Sequence, residues 1–106
     1  MDAATRDLLA AVLEALDIPH PATASGAEVH DRILADRAIP ARVALRAIVD
    51  KLPPTSCGPD WYAKWLRDSL AKHPVTGYVT ADQAQAALDA GKTWSEAVQL
   101  PEGEGR

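Results

Sequence analysis

The fold is decided by residues 25–52, which read SGAEVHDRILADRAIPARVALRAIVDKL. Apolar side chains recur there at steps of three and four residues, the spacing of one face of an α-helix. They are Ala27, Leu34, Ala38, Ala41, Leu45, Ile48 and Leu52. Pro40 removes one backbone hydrogen bond and crowds the carbonyl of Asp36, at a cost of about 3 kcal/mol. Because the apolar spacing keeps its register across Pro40, it predicts one long kinked helix rather than two helices joined by a loop.

Both ends of this long helix carry sequence signals. Ser25, followed three residues later by Glu28, predicts a capping box in which each side chain accepts a hydrogen bond from the other residue's amide. Pro53 and Pro54 cannot continue a helix. The predicted central helix therefore extends from Ser25 to Leu52.

Shorter helices are predicted on either side of it. The first begins after Asp2, whose carboxylate suits a helix cap, and ends near Asp17, before two closely spaced prolines. Another begins at Pro59, since proline is favoured at the first helical position, and ends before Pro74.

The stretch of residues 80–98 predicts two further short helices. Thr80 with Gln83, and Thr93 with Glu96, have the spacing of capping boxes. Gly91 lies between them, where a helix end favours left-handed backbone geometry.

Composition agrees with an all-α fold. The chain has 106 residues, of which 47% are hydrophobic and 25% charged, and it contains no Phe. Alanine, the best helix former, is abundant, and the residues that favour strands are sparse. We predict a single compact all-α domain of about five helices over residues 1–100, with a flexible tail at residues 101–106.

Charge and hydropathy exclude several classes of function. The net charge of −4 argues against a general nucleic-acid-binding role, because that affinity comes largely from Lys and Arg. No apolar run is long enough to span a membrane, and the first residues lack the pattern of a secretory signal. We therefore expect a cytoplasmic protein.

Two tryptophans are candidates for binding a partner. Trp61 and Trp65 lie one turn apart at the edge of the apolar arc of the Pro59 helix, with Lys72 on nearly the same line. Exposed aromatic residues are typical of binding hot spots. The alternative, that the tryptophans fill a core otherwise made of small side chains, stays open.

Arginines on the long helix are the second candidate. Arg42 and Arg46 are one turn apart, so they share a face and are placed to bind a carboxylate or phosphate of a partner. The alternative is that Arg32, Arg37, Arg42 and Arg46 all belong to a solvated flank with weak ion pairs.

Residues 80–98 also resemble a DNA-binding helix-turn-helix in the spacing of Ala87 and Gly91. The second helix and the turn before it would present polar residues to the bases. These are Lys92, Thr93, Trp94, Ser95 and Gln99. Only Lys92 is basic, and Glu96 would face phosphates, so a capped hairpin that closes the core is the favoured interpretation and a DNA-binding regulator is the alternative.

The sequence shows no pattern of catalytic residues. Cys57 precedes a helix start, but the negative charge of Asp60 opposes a thiolate there, so an inert thiol is expected. His20, His30 and His73 do not have metal-ligand spacing. We predict no catalytic residue, no metal, no cofactor, no small-molecule substrate and no enzymatic activity.

Two segments carry a resemblance to a group of proteins. ALDIPHPAT, residues 15–23, and HPVTGYVTADQAQAALDAGKTWSEAV, residues 73–98, resemble small Ala/Arg-rich helical proteins of actinobacteria and their phages or mobile elements. The resemblance implies no activity, cofactor or catalytic residue. Since proteins of this kind often act by binding another protein, we predict a non-catalytic interaction module that binds a protein partner or itself.

Overall fold

The computed structural model describes residues 1–50 and 58–100, and these residues form five α-helices. The helices are α1 (Ala3–Leu16), α2 (Ala24–Val49), α3 (Pro59–Leu70), α4 (Ala81–Asp89) and α5 (Trp94–Ala97). Within the same residues, the β-pairing is limited to one isolated antiparallel bridge between Pro21 and Thr80. The predicted all-α fold class is confirmed.

The long helix α2 passes through Pro40 without interruption, as its apolar register predicts. It ends at Val49, before the predicted end at Leu52, which lies outside the described residues together with Pro53 and Pro54. The predicted kink at Pro40 stays a prediction.

The predicted capping box at Ser25 is wrong, because α2 begins at Ala24 and its cap lies two residues before Ser25. The Gly26 amide donates to Thr23 Oγ1 at 3.0 Å, and the Ala27 amide donates to the Thr23 carbonyl at 2.9 Å. Thr23 is therefore the cap, and Ser25 lies inside the first turn. The Ala22 amide donates to the Val79 carbonyl at 2.9 Å, which ties the residue before Thr23 to a distant segment of the chain.

The chain divides into two compact units, which we call the first and second units. The first consists of Met1–Asp17 and Leu34–Pro74, and the second of Ile18–Ile33 and Val75–Arg106. Helix α2 contributes to both. The prediction of one domain over residues 1–100 stays a prediction, and the predicted tail, residues 101–106, lies outside the described residues.

The core of the first unit joins α1, the second half of α2, and α3. Leu8 and Leu66 are its largest fully buried side chains, and α1 packs against α3. Most of the other buried side chains are alanines, whose small size lets helices approach closely. The buried residues of this core cluster are Leu8, Ala11, Val12, Ala15, Ala41, Ala44, Ala63, Leu66 and Leu70.

Arg37 lies inside the first unit, and the alternative interpretation that placed it on a solvated flank is wrong for this residue. It is only 8% exposed, and its guanidinium donates to three backbone carbonyls. Nε donates to Ala15 at 3.1 Å, Nη2 to Glu14 at 2.8 Å, and Nη1 to His73 at 2.9 Å. The last carbonyls of a helix have no partner within that helix, so Arg37 supplies the donors that α1 lacks at its end.

A second arginine joins α3 to α1 near the surface. Arg67 forms ion pairs with Asp7 at 3.0 Å and with Glu14 at 3.2 Å. The hydrogen bonds to Glu14 and then to Asp7 raise the pKa of the Arg67 guanidinium. One side of α1 therefore carries its carboxylates toward α3.

The second unit is tied together by contacts between the chain after α1 and the chain before α4. The Tyr78 hydroxyl donates to the Pro19 carbonyl at 2.6 Å, and the Ala81 amide donates to the His20 carbonyl at 2.8 Å. Val79 is buried with alanines of α4 and α5.

Both C-terminal capping boxes are confirmed. The Thr80 side chain caps α4 with Gln83, and the Thr93 side chain caps α5 with Glu96. Gly91, between the two helices, has a φ of 92°, as the predicted left-handed turn requires.

Candidate functional site

The solvent-facing side of α2 in the first unit carries both predicted arginines. We define the α2 flank as Ile39, Arg42, Val43, Arg46 and Val49, which are all exposed. The buried alanines of α2 point into the core from the opposite face. Two shallow hollows of about 360 and 250 Å³ form on the flank, and Arg42 and Arg46 line both.

The apolar residues of the α2 flank are unusually open. Ile39 is 61% exposed and Val43 is 49% exposed. They are four residues apart, so they stand one above the other on the helix surface. The flank therefore combines an apolar strip with two cations one turn apart.

Within the described residues, no carboxylate pairs with the two guanidiniums of the flank. Among residues 1–50 and 58–100, the ion pairs are those of Arg67, His30 and His73, and none involves Arg42 or Arg46. Asp50 lines the larger hollow without pairing to either. Arg42 and Arg46 thus keep their donors available for a partner.

The tryptophans of α3 form an aromatic cluster with Tyr62. The rings of Trp61 and Trp65 stack at 6.5 Å with planes 10° apart, and Tyr62 contacts Trp61 edge-on at 5.0 Å. Trp65 and Tyr62 are partly buried against the core of the first unit, whereas Trp61 is 48% exposed. The structure therefore separates the two tryptophans: Trp65 supports the core and Trp61 projects from it.

The alignment of Lys72 with the tryptophans stays a prediction, because Lys72 lies beyond the end of the helix that carries them. Helix α3 ends at Leu70, and Lys72 is exposed in the turn that follows. A hollow of about 190 Å³ beside the tryptophans is lined by Lys64 and Asp68 instead. Lys64 and Asp68 follow Trp61 by three and seven residues, and this spacing places them on the same side of the helix as Trp61.

The hairpin of α4 and α5 presents its candidate DNA-reading residues to solvent. Lys92, Thr93, Trp94, Ser95 and Gln99 are all exposed. The Thr93 hydroxyl is already used, since it accepts from the Glu96 amide and donates to the Glu96 carboxylate at 2.9 Å.

The charge and length of α5 differ from those of a DNA-reading helix. Hydrogen bonds from Thr93 hold the pKa of Glu96 below its usual value, so its carboxylate is negative at neutral pH. Helix α5 has four residues, about one turn.

The structure brings together two histidines that the sequence separates. His20 and His30 stack with ring centroids 6.4 Å apart, and the edge of Tyr78 meets His30 at 5.9 Å. His30 Nδ1 lies 2.9 Å from the Asp31 carboxylate. The Pro21–Thr80 bridge lies next to His20, and no local pattern predicts it.

Other candidate chemistry is limited in the described part of the chain. Across residues 1–50 and 58–100, no cluster of three or more His, Cys, Asp or Glu is arranged to hold a metal ion. Cys57 lies outside the described residues. Of the helices described, none combines the length and apolar character needed to cross a membrane.

Comparison with known proteins identifies no relative of this chain. The resemblance to small proteins of actinobacteria and their phages or mobile elements stays a prediction. No protein-family model matches the chain, and neither a curated protein nor a solved structure matches it significantly.

Proposed function

We propose that the protein is a non-catalytic interaction module that binds an acidic, amphipathic segment of a partner protein on its α2 flank. One observation carries the proposal: Arg42 and Arg46 have no carboxylate partner among the described residues and stand beside the exposed Ile39 and Val43. A cytoplasmic location and a phage or mobile-element setting belong to the proposal as expectations from the sequence.

Burial of the apolar strip supplies the driving force. A fully buried Ile or Val contributes about 1.5–3 kcal/mol, and roughly half of each side chain remains to be covered here. Neither Ile39 nor Val43 contributes to the buried core of the first unit. A partner that covers both residues therefore gains free energy without disturbing the fold.

The arginines supply orientation and specificity. Guanidinium groups bind carboxylates through two parallel hydrogen bonds, which fixes the geometry of the partner. Arg42 and Arg46 are one turn apart, so Glu or Asp residues one turn apart on a helix match them. The partner that fits is a helix with carboxylates beside an apolar strip.

The aromatic cluster is a second contact for the same class of partner. Trp61 offers a large exposed ring that is held by stacking on Trp65, so little side-chain entropy is lost when it is covered. Lys64 and Asp68 border it with one charge of each sign.

The DNA-binding alternative at residues 80–98 has less support. A recognition helix lies in the major groove and presents several side chains, and the four-residue α5 offers about one turn beside the negative Glu96. Fluorescence polarisation with duplex DNA at two salt concentrations tests it. Steep salt-dependent binding would favour the regulator over the interaction module.

A designed peptide tests the proposal directly. The probe is a labelled helical peptide in which Leu recurs at alternating steps of three and four residues, and Glu recurs at the same steps beside it. Its counterpart carries Lys in place of each Glu. We expect the Glu peptide to bind the wild-type protein and the Lys peptide not to bind. Arg42→Glu and Arg46→Glu should each weaken binding by about tenfold, which corresponds to about 1.4 kcal/mol.

Arg32→Glu is the matched control, because Arg32 is an exposed arginine of the same helix outside the flank. It changes the net charge equally and should leave the affinity near that of the wild type. Equal loss in all three variants would reduce the effect to net charge and contradict the proposal, as would equal binding of the two peptides.

A further inference from the structure

Helix α1 carries an exposed apolar strip that the α2 flank does not include. Leu9, Leu13 and Leu16 are 41%, 63% and 45% exposed, although another face of α1 is buried in the core. We call these three residues the leucine seam. Their steps of four and three residues place them along one line of the helix, as in the contact line of paired helices.

The rest of α1 is already occupied. One face is buried in the core of the first unit through residues that include Leu8 and Val12. Another side carries Asp7 and Glu14, whose carboxylates pair with Arg67 of α3. The leucine seam is the remaining side, and it is apolar rather than polar as a solvent-facing side would be.

The seam carries a cation at one end and an anion at the other. Arg6 and Asp17 are both exposed, and eleven residues, about three turns, separate them, so they lie on the same edge of the seam. Within the described part of the chain, neither takes part in an ion pair.

These charges are placed against the dipole of their own helix. The first turn of α1 contains no acidic residue and its last turn no basic residue. Arg6 lies near the positive N-terminal end, and Asp17 lies at the negative C-terminal end. Both charges would be favourable beside a second helix that runs in the opposite direction. That helix places its negative C-terminal end next to Arg6 and its positive N-terminal end next to Asp17.

We infer that α1 pairs with α1 of a second copy of this chain, antiparallel and around a two-fold axis. Leu9 then packs against the partner's Leu13, and the aliphatic stem of Arg6 covers the partner's Leu16. The guanidinium of Arg6 reaches the partner's Asp17, and symmetry makes each contact twice. A parallel pair would instead bring Arg6 against the partner's Arg6, so the charges select the antiparallel arrangement.

The dimer is weak because the seam is small. Three partly exposed leucines fall well short of the about 800 Å² per partner of a standard stable interface. Association is therefore expected at about 10–500 µM protein, in the range of transient complexes. The inference specifies a surface for the self-binding part of the proposed function, and partner binding at the α2 flank does not depend on it.

Sedimentation equilibrium of the full chain across that concentration range tests the inference. The wild type should show a reversible monomer–dimer equilibrium. Leu13→Glu should abolish it, and because Leu13 is the most exposed leucine of the seam, its substitution leaves the core intact. Far-ultraviolet circular dichroism on the same samples reports the helix content.

Charge reversal gives the sharper test. Arg6→Glu and Asp17→Arg should each weaken the dimer by about tenfold or more, and the double variant should restore it, because the cation and anion have only changed places. Each reversal also suits the dipole of α1, so loss of the dimer cannot be attributed to loss of the helix.

Three results would overturn the inference: a wild type that is monomeric throughout the range, a dimer that Leu13→Glu leaves unchanged, or a double variant no better than the single variants. Arg32→Glu again controls for net charge. The peptide titration of the α2 flank is read out separately, so failure of one claim is distinguishable from failure of the other.

Discussion

The guanidinium of Arg37 donates to the backbone carbonyl of Glu14 at 2.8 Å, and thereby joins the middle of α2 to the end of α1. The same side chain also reaches Ala15 and His73. A cation with 8% exposure is tolerated in the interior because its donors meet carbonyl oxygens that would otherwise be without partners.

Arg37→Ala should lower the free energy of unfolding by about 2–4 kcal/mol, because it removes charged hydrogen bonds and leaves buried carbonyls unsatisfied. Urea denaturation followed by circular dichroism measures the change. Arg32→Ala, at an exposed position of the same helix, should change stability by no more than about 0.5 kcal/mol. Equal effects of the two substitutions would contradict an anchoring role for Arg37.

Thr23→Ala should destabilise the protein by about 1 kcal/mol, because it removes the side-chain acceptor of the Gly26 amide at the start of α2. Ser25→Ala is the comparison, since Ser25 is exposed within the first turn. Its effect should be close to zero. Thermal unfolding of both variants decides between the two capping assignments, and a larger loss for Ser25→Ala would reinstate the cap predicted from the sequence.

Trp61→Ala and Trp65→Ala should separate binding from folding. Trp65 packs against the core of the first unit, so its truncation should cost about 2–3 kcal/mol of stability. Trp61 is about half exposed and should cost less than about 1 kcal/mol, while it weakens capture of the acidic peptide. Denaturation and peptide titration of the same samples check both. A Trp61→Ala protein that unfolds would assign that ring to the core.

Acidification should weaken the cap of α5. The folded pKa of Glu96 is lowered from its ordinary value of 4.5 by hydrogen bonds from Thr93, so the carboxylate stabilises the fold above that value. This contribution is lost as the pH falls from about 4.5 through the lower folded pKa. Glu96→Gln keeps a capping side chain that does not titrate. We expect a shallower dependence of Tm on pH below about 5 in this variant, and identical slopes would contradict the assignment.

The elements that the sequence predicts well depend on neighbouring residues. The continuity of α2 through Pro40 follows from the unbroken apolar register, and the caps at Thr80 and Thr93 follow from a four-residue pattern. In each case the deciding contacts lie within a turn or two of the chain.

The features that the sequence misses depend on distant segments. The cap of α2 moves to Thr23 because the preceding residue is bonded to Val79. Arg37 is spaced four and seven residues before the buried Ala41 and Ala44, so periodicity alone places it on the core face. Its acceptors, however, come from α1 and from the turn after α3, which a single helical pattern cannot indicate.

The interaction surfaces are partly readable from the sequence. The shared face of Arg42 and Arg46 is visible from their spacing. The exposure of Ile39 and Val43 beside them cannot be seen from the sequence, because an apolar residue in a helical pattern is ordinarily assigned to the interior.

The hydrogen bond from Tyr78 to Pro19 spans 59 positions of the chain and joins the two separate stretches of sequence that make up the second unit. Neither unit can consequently be excised as one uninterrupted piece of polypeptide. During synthesis, residues 18–33 leave the ribosome well before residues 75–106, which belong to the same unit. The second unit must therefore assemble last. A truncated protein that ends before Val75 would contain residues 18–33 without the C-terminal segment that completes their unit.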